Sequence, residues 1–437
     1  MKKRVLLLGL GRANISVAEY LLKEGDELFL YEENLEVVST DARRLLKTGK
    51  IKTHNEGDFD YDLVVTSPGF PPNKRIIKEL TDRGLPVIDE IEFTYQHLNR
   101  PDVIAVTGTN GKSTTAALIS NILASAGIKN FLGGNIAPGM PFSRALFLPR
   151  FERYVLEISS FQLMRIRDFH AGIGVLTNIS ADHLNWHSSF EEYKQAKFRL
   201  FKTQRPDDYA VLNFDDQLIK ESVTEIRSQI IFFGGDLKAD VCFNGDFRYK
   251  GEKLFPVKIS ELPGRHNILN TLAAIAVAKI IGVDNESIRN GITSFKSLPH
   301  RLEELGVING VRYINNSMCT NESAAIASFN AVKGDKIVIV GGRQKGNKGE
   351  KYLDLLVKKA KACIVLGENA FYITDYFKTK KFDRFAVAED MDDAVEKARG
   401  FAANGDIILL NPGFASFGHF RNFEERGAAF KDAAYRD

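Results

Sequence analysis

The sequence predicts an α/β fold in three domains, and three observations lead to this prediction. The chain of 437 residues suits about three domains of ordinary size. Short apolar runs alternate along its length with longer segments of helical periodicity. Glycine-rich turns directly follow such runs near residues 9–11, 108–111 and 341–342. A repeated order of strand, turn and helix is typical of parallel sheets covered by helices.

The composition excludes several functional classes. Hydrophobic residues make up 44% of the chain and charged residues 26%, which is ordinary for a globular protein. The formal net charge of +3 is too small and too dispersed to indicate a nucleic-acid partner. No apolar run is long enough to span a membrane, and the three cysteines lack metal-ligand spacing. We therefore expect a cytoplasmic monomer that binds neither nucleic acid nor membranes.

Residues 1–98 predict a small doubly wound, Rossmann-like domain that binds the nucleotide-like part of a substrate. A strand over residues 4–9 enters the turn G-L-G, which ends at Gly11, and a helix follows. A second strand ends at Glu32, at the distance where dinucleotide-binding folds place an acid that contacts a ribose. Asn14 replaces the third glycine of the G-x-G-x-x-G pattern, which weakens the case for a nicotinamide cofactor. Two further strands are expected in D-L-V-V-T-S and L-P-V-I-D-E.

Residues 99–297 predict a central domain built around a phosphate-binding loop. An apolar run predicts a buried strand, Gly108 and Gly111 bracket a tight loop, and Lys112 opens an apolar-periodic helix. Amides of such a loop and the positive end of the helix favour an anion. The lysine would reach the terminal phosphates, and the Ser113 hydroxyl is placed to bind Mg²⁺. The alternative is an ordinary glycine turn before a capped helix.

Two side chains that follow strands of this domain are candidate Mg²⁺ ligands. Glu157 ends a strand predicted over residues 154–157, and His183 follows a strand predicted over residues 172–177; another strand is expected over residues 209–213. Because the carboxyl ends of parallel strands meet at one edge of a sheet, the carboxylate and the imidazole can serve one triphosphate site. Taken alone, each is equally consistent with an ordinary solvated glutamate or a hydrogen-bonded histidine.

A third, Rossmann-like α/β domain is predicted for residues 298–437. Before it, residues 231–260 alternate polar and apolar side chains, which indicates an antiparallel excursion, and residues 267–281 predict a helix. Pro299 then interrupts the pattern and marks the boundary. Four strand-like runs alternate with helical segments after it: V-R-Y-I-N, K-I-V-I-V-G-G, A-C-I-V-L-G and D-I-I-L-L-N.

A set of distinctive motifs runs along essentially the whole chain. In order, they are V-T-G-T-N-G-K-S-T, G-G-N-I, L-E-I-S-S-F-Q-L, N-I-S-A-D-H-L, A-K-F-R-L-F, N-F-D-D, G-R-H-N-I-L-N, L-P-H-R-L-E and A-S-F-G-H-F-R-N-F-E-E-R-G. In this order they resemble the motifs of the Mur ligases. The resemblance is closest to the members that add D-glutamate, because of the early G-L-G and S-P-G turns and the tail.

The resemblance implies an ATP-dependent amide ligase that uses UDP-N-acetylmuramoyl-L-alanine, D-glutamate, ATP and two Mg²⁺ ions. ATP would phosphorylate the substrate carboxylate, and the amine of the amino acid would displace the phosphate. The family positions that hold ATP match Gly108, Thr109, Asn110, Gly111, Lys112, Ser113, Thr114, Asn267 and Arg301, and those that serve the metals match Ser113, Glu157 and His183. Those expected at the nucleotide-sugar substrate match Gly11, Ser67, Asn135, Ser159 and Gln162.

The amino-acid pocket departs from the family pattern. Thr320, Lys345, Ser416 and Phe423 match it, but Asn316 replaces an aspartate and Met318 replaces a lysine. A neutral thioether cannot pair with a carboxylate, and such a lost contact typically costs about 1.5 to 3 kcal/mol. We expect Arg343, an extra cation, to supply part of the lost positive field. In the first domain Glu32, Glu33 and Asn34 stand where some members have Asp, Thr and Arg around the uracil.

Lys197 lies where the Mur ligases carry a carbamylated lysine, and we expect this modification here. Helical spacing from Phe190 to Phe201 would point the segment at the site. Burial and neighbouring cations would favour the neutral amine that reacts with CO₂. The alternative is an exposed helix lysine. With Lys112, Glu157 and His183, Lys197 completes the expected catalytic set.

Two other functions remain open at this point. A Mur-type ligase that adds a different amino acid is kept possible by Met318. From another class, a nicotinamide-dependent oxidoreductase or a dinucleotide sensor would use the G-L-G turn and Glu32. That interpretation leaves Lys112 and His183 without a role, and absorbance of a bound cofactor would distinguish the classes.

Overall fold

The structure, a computed structural model, describes residues 2–33, 39–137, 139–183, 186–344, 348–416 and 418–436. The chain forms two compact units. The first comprises Met1–Ser180, Ser188–Ile259 and Leu269–Ser294, and the second comprises Ala181–His187, Ser260–Ile268 and Phe295–Asp437. The boundary expected near residue 98 falls inside the first unit, so the three domain ranges stay a prediction. The α/β class is confirmed, since three sheets rich in parallel strands alternate with helices.

The first sheet has five parallel strands in the order β3-β2-β1-β4-β5. They are β1 (Arg4–Leu8), β2 (Glu27–Tyr31), β3 (Ile51–Thr53), β4 (Leu63–Thr66) and β5 (Val87–Asp89), and the helices are α1 (Arg12–Glu24), α2 (Thr40–Leu46), α3 (Arg75–Asp82) and α4 (Glu90–His97). The strands are apolar on both faces because each face packs on its own buried cluster. The sheet is doubly wound, as expected from the sequence.

The second sheet has nine strands in the order β14-β13-β12-β11-β10-β9-β6-β8-β7. They are β6 (Val103–Thr107), β7 (Asn130–Gly134), β8 (Arg153–Glu157), β9 (Ile173–Leu176), β10 (Tyr209–Asn213), β11 (Gln229–Phe233), β12 (Val241–Asn244), β13 (Asp246–Tyr249) and β14 (Glu252–Pro256). Only β12, β13 and β14 pair antiparallel, whereas β11 pairs parallel with β10. The expected excursion therefore begins later than residue 231.

The helices of this part of the chain vary widely in length. They are α5 (Lys112–Ser125), α6 (Ser160–Leu163), α7 (Phe190–Phe198), α8 (Gln217–Glu221), α9 (Arg265–Ile281) and α10 (Asn285–Ser294), with 3₁₀ turns at Phe142–Phe147, Arg199–Phe201, Val223–Glu225 and Val257–Ile259. All five residues of β6, the strand before the glycine-rich loop, are buried, and the strand lies between β9 and β8 in the interior of the sheet. Among the described residues, no helix is long and apolar enough to cross a bilayer.

The third sheet has six strands in the order β15-β16-β20-β17-β18-β19. They are β15 (Glu303–Ile308), β16 (Val311–Asn315), β17 (Lys336–Gly341), β18 (Ala362–Val365), β19 (Phe385–Val387) and β20 (Ile407–Gly413), and the helices are α11 (Glu322–Ala331), α12 (Glu350–Lys359), α13 (Ala370–Thr379), α14 (Met391–Phe401) and α15 (Phe423–Tyr435). Only β15 pairs antiparallel with its neighbour. The polar carboxyl ends of β16, β17 and β20 thus share one edge of this sheet.

Candidate active site

The loop between β6 and α5 has the geometry of a phosphate cradle. Gly108 has a φ of 144° and lies so close to Thr177 that a Cβ atom would overlap its Oγ1. Gly111, with a φ of 84°, caps the start of α5. Only glycine tolerates both this conformation and this approach. The helix begins at Lys112 with no acidic residue in its first turn, so its positive end is available to an anion.

The segment after β9 fixes the other side of this loop. Asn178 accepts a hydrogen bond from the amide of Asn110 at 2.9 Å through its Oδ1, and its Nδ2 donates to the Asn110 carbonyl at 2.9 Å. Thr177 Oγ1 donates to the same carbonyl at 2.6 Å. The N-I-S stretch identified in the sequence is thus in direct contact with the loop, as the meeting of parallel strand ends requires.

The first turn of α5 supplies hydroxyl and ammonium groups. Ser113 and Thr114 are buried, and Thr114 Oγ1 lacks a hydrogen-bond partner among the described residues. Lys112 Nζ donates to the carbonyls of Gly108 at 3.0 Å and Thr109 at 2.9 Å, so its ammonium lies over the loop. A hydroxyl and an ammonium placed beside loop amides can bind phosphate oxygens and a phosphate-bound cation.

Glu157 lies at the carboxyl end of β8, the strand that pairs directly with β6. It is 3% exposed; its Oε1 accepts from Asn135 Nδ2 at 3.2 Å, and its Oε2 is buried without a hydrogen-bond partner among the described residues. A buried carboxylate oxygen without a donor is costly unless a cation binds it. This oxygen therefore fits a Mg²⁺ ligand. Asn135, expected at the substrate, also orients this carboxylate.

Ser159 and Gln162 form a capping box at the start of α6. The amide of Ser159 donates to Gln162 Oε1 at 3.0 Å, and the amide of Gln162 donates to Ser159 Oγ at 3.3 Å. Both residues are buried. The arrangement satisfies two amides that a helix start leaves unpaired. The structure thus gives these residues a capping role, and their contact with a substrate stays a prediction.

Lys197 is a buried residue of α7 and contacts the phosphate loop. It is 2% exposed, so it is not the exposed helix lysine that the sequence left as an alternative. Its Nζ donates to the Gly108 carbonyl at 2.8 Å and lies 4.5 Å from the ring centroid of Tyr193. The Tyr193 hydroxyl is 2.9 Å from Thr109 Oγ1. The same Gly108 oxygen also accepts from Lys112, so two lysine side chains converge on one carbonyl.

Gly11 and Ser67 meet at the carboxyl edge of the first sheet. A Cβ atom at Gly11 would come within 2.6 Å of Ser67 Oγ. Glu32 Oε2 accepts from the amide of Leu10 at 3.2 Å, so this acid braces the glycine turn. The two expected substrate residues are therefore adjacent, as their places after β1 and β4 predict. Asn34 lies outside the described residues.

His183 belongs to the second unit, within residues 181–187. It has a φ of 55°, which is strained for a residue other than glycine, and its amide donates to Asp182 Oδ1 at 2.8 Å. Asn321 Nδ2 lies 3.4 Å from Asp182 Oδ2. Glu157 belongs to the first unit, so a metal site shared by Glu157 and His183 stays a prediction.

Arg301 and Asn267 also belong to the second unit. Asn267 Nδ2 donates to the Pro263 carbonyl at 2.8 Å, and Arg301 NH2 lies 3.0 Å from Met318 Sδ. His266, beside Asn267, has its pKa lowered to about 4 by burial and by the charge of Arg301. Met318 therefore lies against Arg301. The lysine that the family has at this position would add a second cation beside Arg301.

Asn316 is buried and has a partner that the sequence did not reveal. Its Oδ1 accepts from the amide of Leu302 at 3.1 Å, and its Nδ2 donates to Asn411 Oδ1 at 2.8 Å. A carboxylate at residue 316 could accept the first of these bonds but could not donate the second. The loss of the family aspartate is therefore accommodated by Asn411. No sequence pattern connects residues so far apart.

A small cavity lies at the carboxyl edge of the third sheet. Its lining includes Ser416, expected in the amino-acid pocket, and Arg426, which is 3% exposed. Arg426 NH2 donates to the Ser317 carbonyl at 2.8 Å, and burial lowers the pKa of this guanidinium to about 9. Ser317 Oγ in turn donates to the carbonyl of Phe423 at 2.7 Å.

The structure describes only some of the other residues expected in this pocket. Thr320 is half-buried beside the third sheet, whereas Lys345 lies outside the described residues. Arg343 forms a bidentate ion pair with Glu368, from Nε at 2.7 Å and NH2 at 2.6 Å. The pair raises the pKa of Arg343 through the hydrogen bond and the charge of Glu368. Much of the extra positive field is therefore offset by a neighbouring carboxylate.

The fold and the phosphate loop define a nucleotide-binding enzyme with a glycine-loop phosphate site. The family model for the Mur ligase middle domain matches residues 106–278, and the model for the Mur ligase glutamate ligase domain matches residues 300–414. The chain belongs to the Mur ligase family, as its motifs indicated.

Curated relatives match nearly the whole chain. The chain is 36% identical to the UDP-N-acetylmuramoylalanine--D-glutamate ligase of Pelotomaculum thermopropionicum, over 99% of this chain and 97% of that protein. It is 37% identical to the ligase of the same name from Koribacter versatilis, over 98% and 96%. Among solved structures, MurF ligase from Thermotoga maritima in complex with ADP has a TM-score of 0.64 at 17% identity, covering 99% of this chain and 95% of that one. This structural similarity shows the fold alone.

Proposed function

We propose that this chain is an ATP-dependent ligase that joins D-glutamate to UDP-N-acetylmuramoyl-L-alanine in peptidoglycan synthesis. The observation that carries the proposal is the loop of residues 108–111, against which Lys112 and Lys197 both lie. Full-length relatives of 33% to 37% identity bear the name of this D-glutamate ligase. Phosphoryl transfer needs positioned cations rather than a protein nucleophile, and Lys112 supplies one of them beside the loop.

The reaction proceeds through an acyl phosphate. A carboxylate oxygen of the muramoyl-alanine substrate attacks the γ-phosphorus of ATP, and ADP leaves. The amine of D-glutamate then attacks the acyl carbon, phosphate departs with the bonding electron pair, and the amine proton passes to a base or to solvent. Lys112 neutralises charge that develops on the phosphoryl oxygens. Loop amides and the start of α5 hold the remaining phosphates.

The oxygen donors among the residues assigned to the metals suit Mg²⁺. Ser113 at the start of α5 and Glu157 at the end of β8 would hold one ion, and His183 would serve a second. The unpartnered Oε2 of Glu157 supports this assignment. When bound, Mg²⁺ draws charge from the transferring phosphoryl group. Glu157 in turn is oriented by Asn135 through the hydrogen bond to its Oε1.

Lys197 is carbamylated in the working enzyme under this proposal. Its neutral amine attacks CO₂, a nitrogen to carbon bond forms, and a proton is released to solvent, which leaves a carbamate anion. The shared carbonyl of Gly108 supports this change, because two neighbouring ammonium groups repel each other. A carbamate reverses the sign of one group and can orient the metal-bound shell.

The other expected residues are assigned as the family positions indicate. Asn267 and Arg301 hold the adenine and phosphates of ATP. Gly11, Ser67, Asn135, Ser159 and Gln162 contact the nucleotide-sugar substrate, and Thr320, Lys345, Ser416 and Phe423 contact D-glutamate. The enzyme works as a monomer in the cytoplasm, where both substrates and ATP are available. Ser416 and Phe423 border the edge of the third sheet that carries the cavity.

A mechanistic experiment tests the acyl phosphate directly. The carboxylate of UDP-N-acetylmuramoyl-L-alanine is labelled with a heavy oxygen isotope, and the released phosphate is analysed by mass spectrometry. We expect one labelled oxygen in each phosphate, formed only when ATP, labelled substrate and D-glutamate are all present. Unlabelled phosphate in a productive reaction would exclude carboxylate phosphorylation.

We predict that Glu157→Gln weakens Mg²⁺ binding with the fold preserved. The amide keeps the acceptor for Asn135 but removes the negative charge at the carboxyl end of β8. The Mg²⁺ concentration for half-maximal activity should rise about tenfold or more, as expected for the loss of a charged ligand. Glu152→Gln, which changes an exposed glutamate directly before β8, is the matched control. An unchanged Mg²⁺ titration for Glu157→Gln would remove this residue from the metal site.

A second prediction concerns the positive field at the amino-acid pocket. Arg343→Ala should raise the KM for D-glutamate several times more than the KM for ATP, because a guanidinium attracts the carboxylates of the amino acid. Glu368→Gln should act in the opposite direction, since it leaves the guanidinium without its ion-pair partner. Steady-state kinetics with each substrate varied gives both values. Equal effects on the two substrates would show that Arg343 does not sense D-glutamate.

A Mur-type ligase for a different amino acid is the second candidate. Met318 favours it, because a neutral thioether lies against Arg301 where the family has a cation. The choice between the two depends on the amine that the pocket accepts.

A further inference from the structure

The carboxyl edge of the first sheet contains a buried polar cluster that the proposed function does not use. Thr66 and Asp89 are the last residues of β4 and β5 and are direct partners in the parallel register. Both are fully buried. Arg165, from the segment after α6, donates from NH1 to Thr66 Oγ1 at 3.2 Å. Arg165 thus reaches the end of β4, directly beside the end of β5.

Asp89 and Arg165 each have an unsatisfied atom in this cluster. Asp89 Oδ1 accepts from the amide of Ile91 at 3.2 Å and caps α4, whereas its Oδ2 is buried without a hydrogen-bond partner among the described residues. Arg165 NH2 is likewise buried without one in that part of the chain. The two charges act on each other: Asp89 favours the charged form of Arg165, and Arg165 favours that of Asp89. They are therefore counter-charges in a buried setting.

Burial opposes both charges. It raises the pKa of Asp89 to about 7, with the charge of Glu90 acting in the same direction, and it lowers the pKa of Arg165. Buried charges persist when another charge compensates them. If one partner is removed, the other is left buried without compensation, whereas removal of both avoids this penalty.

The position of Arg165 is fixed by contacts on both sides of it. Arg199 Nε donates to the Leu163 carbonyl at 3.0 Å. The carboxylate of Glu92, in α4, accepts from the amides of residues 167–169 at 2.8 to 3.0 Å. Helix α4 begins directly after Asp89, so the element that Asp89 caps also holds the segment of Arg165. The backbone that carries the guanidinium is therefore held in place on both sides.

A chain of hydrogen bonds connects Arg165 to the substrate turn. The guanidinium donates to Thr66 Oγ1, and this hydroxyl donates to the Ser67 carbonyl at 3.1 Å. Ser67 opens the S-P-G turn and contacts Gly11 on the neighbouring glycine turn. A guanidinium at the head of such a chain polarises the hydroxyl and strengthens its bond to the carbonyl.

We infer that Arg165, which donates to Thr66 at the end of β4, is a positioning residue for the nucleotide-sugar substrate and sets the S-P-G turn of residues 67–69. The inference rests on the proposed function, because that function places the nucleotide-sugar at Gly11 and Ser67. ATP binds at residues 108–114, so a change at Arg165 should affect the two substrates differently.

The first test compares kinetic constants of Arg165→Met, Asp89→Asn and the double variant. We expect Arg165→Met to raise the KM for UDP-N-acetylmuramoyl-L-alanine about tenfold while the KM for ATP stays within about twofold. The double variant should lose less than the product of the two single losses. Arg165→Lys keeps the positive charge but lacks the forked donors of the guanidinium, so it should restore part of the affinity. It also replaces Arg165→Met in this test if that variant does not fold. Arg167→Met, an exposed arginine two residues away, is the matched control.

The second test follows the turn itself by amide hydrogen exchange in residues 66–70. Exchange should be faster in Arg165→Met and Arg165→Lys than in the wild type and unchanged in Arg167→Met. Unchanged exchange, or an equal rise of both KM values, would overturn the inference. Failure of the wild type to use this nucleotide-sugar would refute the proposed function, and the exchange comparison would still decide the role of Arg165 in the turn.

Discussion

Replacing Lys112 by alanine is expected to lower turnover about a thousandfold or more while the protein stays folded. The ammonium lies over the phosphate loop, 3.0 Å from the Gly108 carbonyl and 2.9 Å from the Thr109 carbonyl, and no other residue of the first turn of α5 carries a positive charge. During transfer, negative charge spreads over the phosphoryl oxygens. A neutral methyl group cannot stabilise it.

Two variants separate this role from a structural one. Lys112→Met keeps the apolar stem of the side chain and should be as inactive as Lys112→Ala. Lys129→Ala, at an exposed lysine before β7, should be fully active. Circular dichroism and thermal unfolding should be near wild type in all three. Near wild-type turnover by a folded Lys112→Ala protein would contradict the assignment of the loop.

Replacing Lys197 by alanine is expected to cause a similarly severe loss, with partial recovery when a short carboxylic acid is added. The side chain is 2% exposed and its Nζ lies 2.8 Å from the Gly108 carbonyl, so its removal opens a small space directly behind the phosphate loop. A free carboxylate such as formate or acetate can occupy this space and supply the anion that the carbamate provides.

The recovery distinguishes a carbamate from a lysine that only packs. Lys194→Ala removes a lysine of the same helix that pairs with Glu191 at the surface, and it should retain activity with no response to acetate. Depletion of CO₂ and bicarbonate should lower the activity of the wild type but not that of rescued Lys197→Ala. Undiminished activity of Lys197→Ala would rule the role out.

The parts of the fold that the sequence predicted well are those defined by local patterns. The glycine-rich turn after β6 was predictable because few sequences place Gly108, Gly111 and Lys112 between an apolar strand and an apolar-periodic helix. Strands β7 and β19 were not expected, because short strands at the edges of sheets have weak patterns. The antiparallel excursion was placed too early, since alternation alone does not show that β11 pairs parallel with β10.

The contacts that complete the site come from residues distant in the chain, and no local pattern identifies them. Asn178 braces the phosphate loop and Asn411 accommodates Asn316, yet both look like ordinary polar residues after strands. Thr66 and Asp89 come together through the pairing of β4 with β5, and Arg165 reaches Thr66 from a segment about 100 residues further along the chain. Sequence patterns indicate the chemistry of a site, whereas tertiary pairing determines which side chains support it.

Phosphate release with UDP-N-acetylmuramoyl-L-alanine, ATP and Mg²⁺ against a panel of D- and L-amino acids tests the central claim most directly. The account predicts phosphate release and a new amide product with D-glutamate. It predicts at least about tenfold lower kcat/KM with L-glutamate, D-aspartate, L-lysine or glycine, because each of these misplaces, lacks or replaces a charged group of D-glutamate. Equal or greater activity with another amino acid would contradict the proposed specificity. Absence of ATP-dependent amide formation with every member of the panel would contradict the account as a whole.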